Sequence, residues 1–335
     1  MVVSSYFLRD STGMSVDHLS EVFDLVEVRG VISGGFAVRG LWRSCGDISE
    51  RLKFFAMVGG RARLTTDGVD GPIDLEPGDV VILNGRSWLN VEGGTGDGPR
   101  RVIQPEEGDL GFAGADRGVD DVLLGGRIDL NPAGRTLLMQ ALPPVAHVRA
   151  SVAAASNLRG SLDRLFEEGS RNRMGSAFAM RQYGQLLLLE ALRAYVDQTE
   201  LPAGWLRVLT DERLRPALDL MHAEPGRAWG LEELARAAAM SRTSFAERFR
   251  TVSGLPPLTY LNRWRMFLAQ RALRDGDVRV GKLAFELGYA SESAFSTAFK
   301  REVGESPLRY RNRVRAEPTA SAEFMSPSRP SPVGT

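Results

Sequence analysis

Apolar residues recur at helical spacing twice in the C-terminal third of the chain. Leu231, Leu234, Ala235 and Ala238 fall at i, i+3, i+4 and i+7, and Val280, Leu283, Ala284 and Leu287 repeat the spacing, so each set lines one face of a short helix. A break follows each set, Met240-Ser241 in the first and Gly288-Tyr289-Ala290 in the second. Beyond it Phe245 and Phe249, then Phe295 and Phe299, stand one helical turn apart and put both rings of a pair on one face. Ser241 and Ser291 suit the N-caps of these second helices, and Gly254 and Gly304 suit their ends. The offset between copies is 49 residues in the first helix and 50 afterwards, a slip of one residue that a turn absorbs and a helix does not.

Two apolar stripes packed across a tight turn predict a helix-turn-helix, whose second helix can enter a DNA major groove. Between the copies, Pro257 to Arg274 reads as one long helix with Pro at its first position and Asp275-Gly276-Asp277 ending it. Tyr260, Leu261, Trp264, Leu268 and Ala272 form its predicted buried stripe. Arg263, Arg265, Arg271 and Arg274 are expected to face solvent or phosphate.

From Phe23 to Ile103 the period shortens to that of strands. Val26–Val31, Phe36–Trp42, Leu52–Val58, Ala62–Thr66 and Val80–Leu83 read as strands, with Gly59-Gly60 and Asp67-Gly68 as turns, and this close spacing predicts an antiparallel barrel or sandwich. Helical spacing returns from Leu158 to Asp197. There Leu186 to Leu189 make a helix apolar on two sides, which implies two partners: the strand region, and either a second subunit or more of the same chain. Glu200 to Asp211 reads as a connector, followed by a support helix with Leu214, Ala217, Leu218 and Met221 on one face. Residues 1 to about 20 predict no element, and the Ser/Pro-rich stretch after Arg315 is expected to be disordered.

Charge divides a chain that is formally neutral overall. Residues 213–315 hold 19 Lys+Arg against 11 Asp+Glu, whereas residues 1–212 hold 22 against 29. A basic C-terminal third suits a polyanionic partner. Cys45 is the only cysteine, so no intrachain disulfide forms. Without a long apolar run or a leader pattern, a cytoplasmic location is expected.

The repeated design resembles the DNA-binding domain of the AraC/XylS family of transcriptional regulators. The residues that carry the likeness are Leu234-Ala235, Met240-Ser241-Arg242, Phe245 to Phe249, Gly254, Pro257 to Leu261 and Trp264-Arg265-Met266, then Gly288-Tyr289, Ser291-Glu292, Ala294-Phe295, Ala298 to Arg301, Gly304 and Pro307 to Arg311. Pro77-Gly78-Asp79 before Val80 to Leu83 is similar to the turn and strand of cupin barrels fused to such domains. Leu124 to Arg127, and Leu142 to Val145 before His147-Val148, continue that likeness.

The resemblance implies an α+β chain. A cupin-like antiparallel β-barrel spans 1–150 and a helical linker and dimerisation segment 151–210. Two helix-turn-helix units joined by a long helix span 211–315, and a tail 316–335. It also implies a sequence-specific DNA-binding transcriptional regulator, an activator by the family's usual mode. Its partners would be double-stranded DNA and RNA polymerase, with a small-molecule effector in the barrel and a homodimer. No enzyme activity, cofactor or membrane partner is expected. A ligand-independent dimeric regulator is the alternative, and a cupin oxygenase or an alkyl-transfer repair protein acting through Cys45 is the enzyme alternative.

Candidate DNA contacts lie on the helical faces opposite the Phe pairs: Arg242, Thr243, Ala246, Glu247 and Arg250 in the first copy, and Glu292, Ser293, Ser296, Thr297, Lys300 and Arg301 in the second. The cations suit phosphate or guanine, and the hydroxyls and carboxylates suit base edges. Glu292 repels phosphate unless it meets a cytosine amino group, so the first copy is expected to carry more of the specificity. His18, His147 and His222 are the only histidines, and the position where cupins usually carry one falls at Trp88 or Leu89. No metal site is expected on that basis. Trp42, Phe55 and Trp88 are candidates for lining a ligand cavity, against the plainer reading of aromatic core.

Overall fold

The computed structural model describes residues 17–316 apart from 27, 31, 106–110, 113, 151–155 and 172; the stretch before residue 17 and the Ser/Pro-rich tail lie outside the described residues. The elements begin with α1 (His18–Val26), β1 (Val28–Gly30), β2 (Gly34–Val38), β3 (Trp42–Asp47), β4 (Leu52–Gly59), β5 (Ala62–Thr66), β6 (Ile73–Leu75), β7 (Val80–Asn84) and β8 (Trp88–Gly93). There follow β9 (Arg101–Val102), β10 (Asp121–Arg127), β11 (Asp129–Leu130), α2 (Pro132–Ala141), β12 (Val145–Val148), α3 (Ser156–Arg171) and α4 (Ser176–Gln198). The rest is helical: α5 (Trp205–Thr210), α6 (Arg215–Ala223), α7 (Leu231–Ala237), α8 (Arg242–Ser253), α9 (Pro257–Asp275), α10 (Val280–Glu286), α11 (Glu292–Val303) and α12 (Pro307–Ala316). They pack as two units, one of residues 26–202 and one that joins 17–25 to 203–316.

In the first unit the strands make two five-stranded sheets, ordered β12-β7-β4-β10-β2 and β6-β5-β8-β3-β9, beside a β1–β11 pair. Strand residues alternate as a half-covered sheet requires: Trp42 and Ser44 point inward while Arg43 and Cys45 point outward, and Ala62, Leu64 and Thr66 point inward on β5. Phe36, Trp42, Phe55, Met57, Leu64, Val81, Val91 and Leu123 pack into one core that draws on both sheets. No ladder joins the two sheets among the described residues, so the β region is a pair of sheets about a shared core, and the closed barrel is not seen in it. Three sequence expectations shift locally. Phe36–Trp42 is two strands divided at Gly40, whose φ of 81° turns the chain; Phe23 to Val26 belong to α1; and the connector before Asp211 contains α5.

The Pro77-Gly78-Asp79 turn is fastened by its carboxylate. Asp79 Oδ1 accepts from the Ala150 amide at 2.8 Å, and Oδ2 accepts from the Glu76 amide at 3.1 Å and stands 3.0 Å from His147 Nε2. Gly78 has φ 93°, and a Cβ there would lie 2.7 Å from that of Ala150, so both the backbone angle and the space require glycine. Burial pushes the Asp79 carboxyl up, but the bonds from His147, Ala150 and Glu76 outweigh it and hold its pKa below the ordinary 3.8.

In the second unit α7–α8 and α10–α11 are the two predicted helix-turn-helices. Each second helix starts under a serine cap, Ser241 Oγ accepting from the Ser244 amide and Ser291 Oγ from the Ala294 amide. Each ends at a left-handed glycine, Gly254 with φ 75° and Gly304 with φ 89°. The intervening turns close alike, the Met240 amide donating to Ala235 O at 2.9 Å and the Tyr289 amide to Ala284 O at 2.9 Å. Besides the one extra residue of the second turn, they differ where the chain turns left-handed: Ala239 has φ 51° where the second copy has Gly288 with φ 79°.

A left-handed conformation costs an alanine roughly 1–2 kcal/mol, partly recovered in the unfolded chain. Ala239→Gly is therefore expected to raise stability by about 0.5–1 kcal/mol in urea denaturation. Gly288→Ala is expected to lower it by more, because the new Cβ would meet Gly226 O at 2.2 Å. The depressed pKa of Asp79 means that its contribution is full above the unfolded value of 3.8 and is lost as pH falls through the folded one. Wild type should accordingly exceed Asp79→Asn in melting temperature at neutral pH, with the gap closing below about pH 4.

Candidate nucleic-acid interface

The two second helices present the same surface residue by residue. Across 241–250 and across 291–300 the order of exposed, half-buried and buried positions is identical, with Phe245 and Phe249, and Phe295 and Phe299, fully inside. Arg242, Thr243, Glu247 and Arg250 are exposed on α8, and Glu292, Ser293, Thr297, Lys300 and Arg301 on α11. Ala246 and Ser296 are half-buried beside them. Among the described residues, no ion pair engages Arg242, Arg250 or Lys300, whereas Arg301 Nε stands 3.6 Å from Glu302.

The copies diverge at the first helical residue, Arg242 in one and Glu292 in the other. The Glu292 carboxylate folds back to α10, its Oε2 lying 2.7 Å from where a Cβ on Gly281 would be. There it also meets the positive end of its own helix. The two candidate contacts most alike in position thus differ in charge.

The long helix α9 carries the two copies. It starts with Pro257 at its first turn and stops at Gly276, and it packs against α8 as well as α11 and α12. Tyr260, Leu261, Trp264 and Leu268 are buried as predicted, but so are Met266, Ala269, Gln270 and Leu273, so the helix has two covered faces rather than one. Aromatic contacts run in parallel through each copy: Phe249 lies 5.4 Å from Tyr260 and Phe299 lies 5.6 Å from Tyr310 between centroids. Burial pushes the Tyr310 phenol up to about 12.

The arginines of α9 are not left to solvent as the sequence suggested. Arg265 donates from Nε to Pro225 O at 2.6 Å and from Nη2 to Arg227 O at 2.9 Å, bracing the turn between α6 and α7. Arg263 stands 3.8 Å from Glu302 and Arg274 2.6 Å from Asp275. Arg248, also missed as a bracing residue, holds Asp211 with two bonds of 3.2 and 2.8 Å. The available signal was its place beside Phe249 on the half-buried flank of α8.

In the other unit a cavity of ≈ 230 Å³ opens among β2, β3, β4, β8 and β10. Phe36, Ser44, Cys45, Lys53, Phe55, Leu89 and Arg127 line it, with Gly34, Gly35, Gly46, Gly125 and Gly126 also on its wall. Of the three aromatic candidates only Phe55 lies on it. Trp42 is wholly buried in the core, its Nε1 donating to Asp121 Oδ2 at 2.6 Å. Trp88, 39% exposed, shares its face of β8 with Asn90 and Glu92 rather than with buried Leu89 and Val91. No helix among the described residues is long and apolar enough to cross a membrane.

A sheet-rich unit followed by paired helix-turn-helices on one spine defines the class. The cupin family profile matches residues 17–197 and a helix-turn-helix domain profile matches residues 234–313. The chain belongs to the AraC-like transcription regulators. It is 35% identical over 301 residues to an AraC-like transcription regulator of Streptomyces antibioticus, covering 88% of this chain and 98% of that one. It is 42% identical over 125 residues to the RCS-specific HTH-type transcriptional activator RclR of Escherichia coli, covering 37% of this chain and 44% of that one. The solved DNA-binding domain of AdpA, in complex with a target DNA, is 33% identical, with 33% of this chain and 99% of that chain covered and a TM-score of 0.31.

Proposed function

We propose that this regulator reads one duplex site with α8 and α11 in successive major grooves, and that the sheet unit sets its activity. The observation that supports this most is the matched exposure of 241–250 and 291–300, which offers two surfaces of matched shape on one spine. Nineteen residues of α9 at about 1.5 Å each span about 28 Å, close to the roughly 34 Å between grooves on one duplex face. Arg242, Arg250, Lys300 and Arg301 hold phosphates or guanine; Thr243, Glu247, Ser293, Ser296 and Thr297 meet base edges, with Ala246 in apolar contact. Glu292, turned toward α10, leaves α8 to carry more of the discrimination.

The remaining assignments follow from the sheet unit and α4. The cavity takes a small-molecule effector, with Phe55 on its wall. Phe178 and Leu186, 62% and 48% exposed on α4, stand eight positions apart on one helical face and supply a homodimer contact. The regulator then activates through RNA polymerase.

Selection of bound fragments from genomic DNA tests the reading. A shared operator should emerge with the full-length protein, and Arg242→Ala should cost about 1–3 kcal/mol and relax preference at one base position. Equal weakening on all sequences would make Arg242 a phosphate contact; no change would remove it from the interface. For the cavity, Gly46→Leu adds bulk where a Cβ meets nothing within 4 Å. Metabolites that raise the melting temperature of wild type by binding the native state should fail to do so in that variant. A broad panel that shifts neither protein would leave the ligand-independent regulator.

A further inference from the structure

Two of the three histidines meet a carboxylate inside the helical unit, although 201 residues separate Glu21 from His222. Glu21 Oε2 lies 2.6 Å from His222 Nδ1 and 3.2 Å from His18 Nδ1. One oxygen and two imidazole nitrogens thus converge between α1 and α6. Of the opposite nitrogens, His222 Nε2 shares a hydrogen bond of 3.0 Å with Tyr260 Oη, and His18 Nε2 stands 2.9 Å from Asp219 Oδ1 as an ion-pair contact without a hydrogen bond. The His222 ring is held flat on Trp264, with centroids 3.9 Å apart and planes 5° from parallel. His222 and Glu21 side chains are 1% and 9% exposed, and His18, at 13%, gives the cluster its edge toward solvent.

We propose that His18, Glu21 and His222 bind one divalent first-row transition ion, zinc(II) by ligand type. Imidazole and carboxylate are the donors such ions take, and three protein ligands with a water in the fourth position make a common set. Imidazoles that bind metal fix their orientation by donating the other ring N–H to a carboxylate or similar acceptor. Here Tyr260 serves His222 in that way, whereas Asp219 stands within ion-pair distance of His18 Nε2 without a hydrogen bond to it. Bonds of about 2.0–2.1 Å in a tetrahedral site set donors about 3.3 Å apart, so both nitrogen–oxygen pairs need open by less than about 1 Å. The set is unrelated to the cupin positions whose lack of histidine argued against metal. An ion there fastens α1 to α6, and the inference does not rest on which residues touch DNA.

Full-length protein stripped with chelator is titrated with zinc(II) against a chromophoric competitor, and cobalt(II) is substituted to read the coordination geometry from its visible spectrum. Wild type should bind one ion per chain with a tetrahedral cobalt spectrum. His18→Gln and Glu21→Gln should each weaken binding at least tenfold, and Tyr260→Phe, which removes only the partner of Nε2, about tenfold. Absence of binding by wild type, or unchanged affinity in both ligand variants, overturns the proposal. Should Glu21→Gln fail to fold, partly exposed His18→Gln decides alone: loss supports the site, and retention overturns it.

Discussion

Neither helix-turn-helix can bury its own phenylalanines. Two helices of seven and twelve residues enclose too little volume to exclude water from a pair of rings, and short helices owe most of their stability to packing rather than propensity. Each copy therefore borrows a tyrosine one helix further on, Tyr260 for Phe249 and Tyr310 for Phe299. Because α9 is covered on two faces, it belongs to both copies at once. The separation of α8 and α11 is thus set by a packed rod, and their outward faces are free to vary in chemistry without disturbing it.

That economy made the helical unit legible in the sequence. The constraints are local and repeated: apolar spacing over one or two turns, a serine that caps, a glycine that ends. Cap residues, helix stops and the buried rings all fall where the pattern put them. What was not legible depends on contacts distant in sequence. Arg265 reads as an exposed cation until the carbonyls of Pro225 and Arg227 are seen beside it. Helix α1 straddles a stretch with no evident pattern and the start of the run that reads as strand, and its partners on α6 come two hundred residues later. The folding back of Glu292 depends on the absence of a side chain at Gly281, which no periodicity reports.

The sheet unit was read less completely for a different reason. Strand parity decides which face a residue occupies, and a register shift of one position inverts it. Trp88 was placed toward the cavity, but neighbouring Leu89 and Val91 take the inward positions on β8, and Trp42 fills the core instead of lining a space. The Pro-Gly-Asp turn resembles that of cupin strands in sequence; its physical basis is the Asp79 carboxylate tying that turn to the end of β12 through Ala150 and His147. His147, on β12, serves this structural tie.

The helical unit is discontinuous in the chain, with residues 17–25 completing a body otherwise made from 203–316. On a ribosome, α1 emerges long before any surface that can receive it. Domains fold broadly in the order of synthesis, so the sheet unit is poised to form while α1 waits, and docking then closes a loop that contains an already folded body rather than a loose coil. Such a loop costs far less entropy than its residue count implies. Assembly of the helical body is therefore a late event, complete only when α1 can dock on helices made some two hundred residues later.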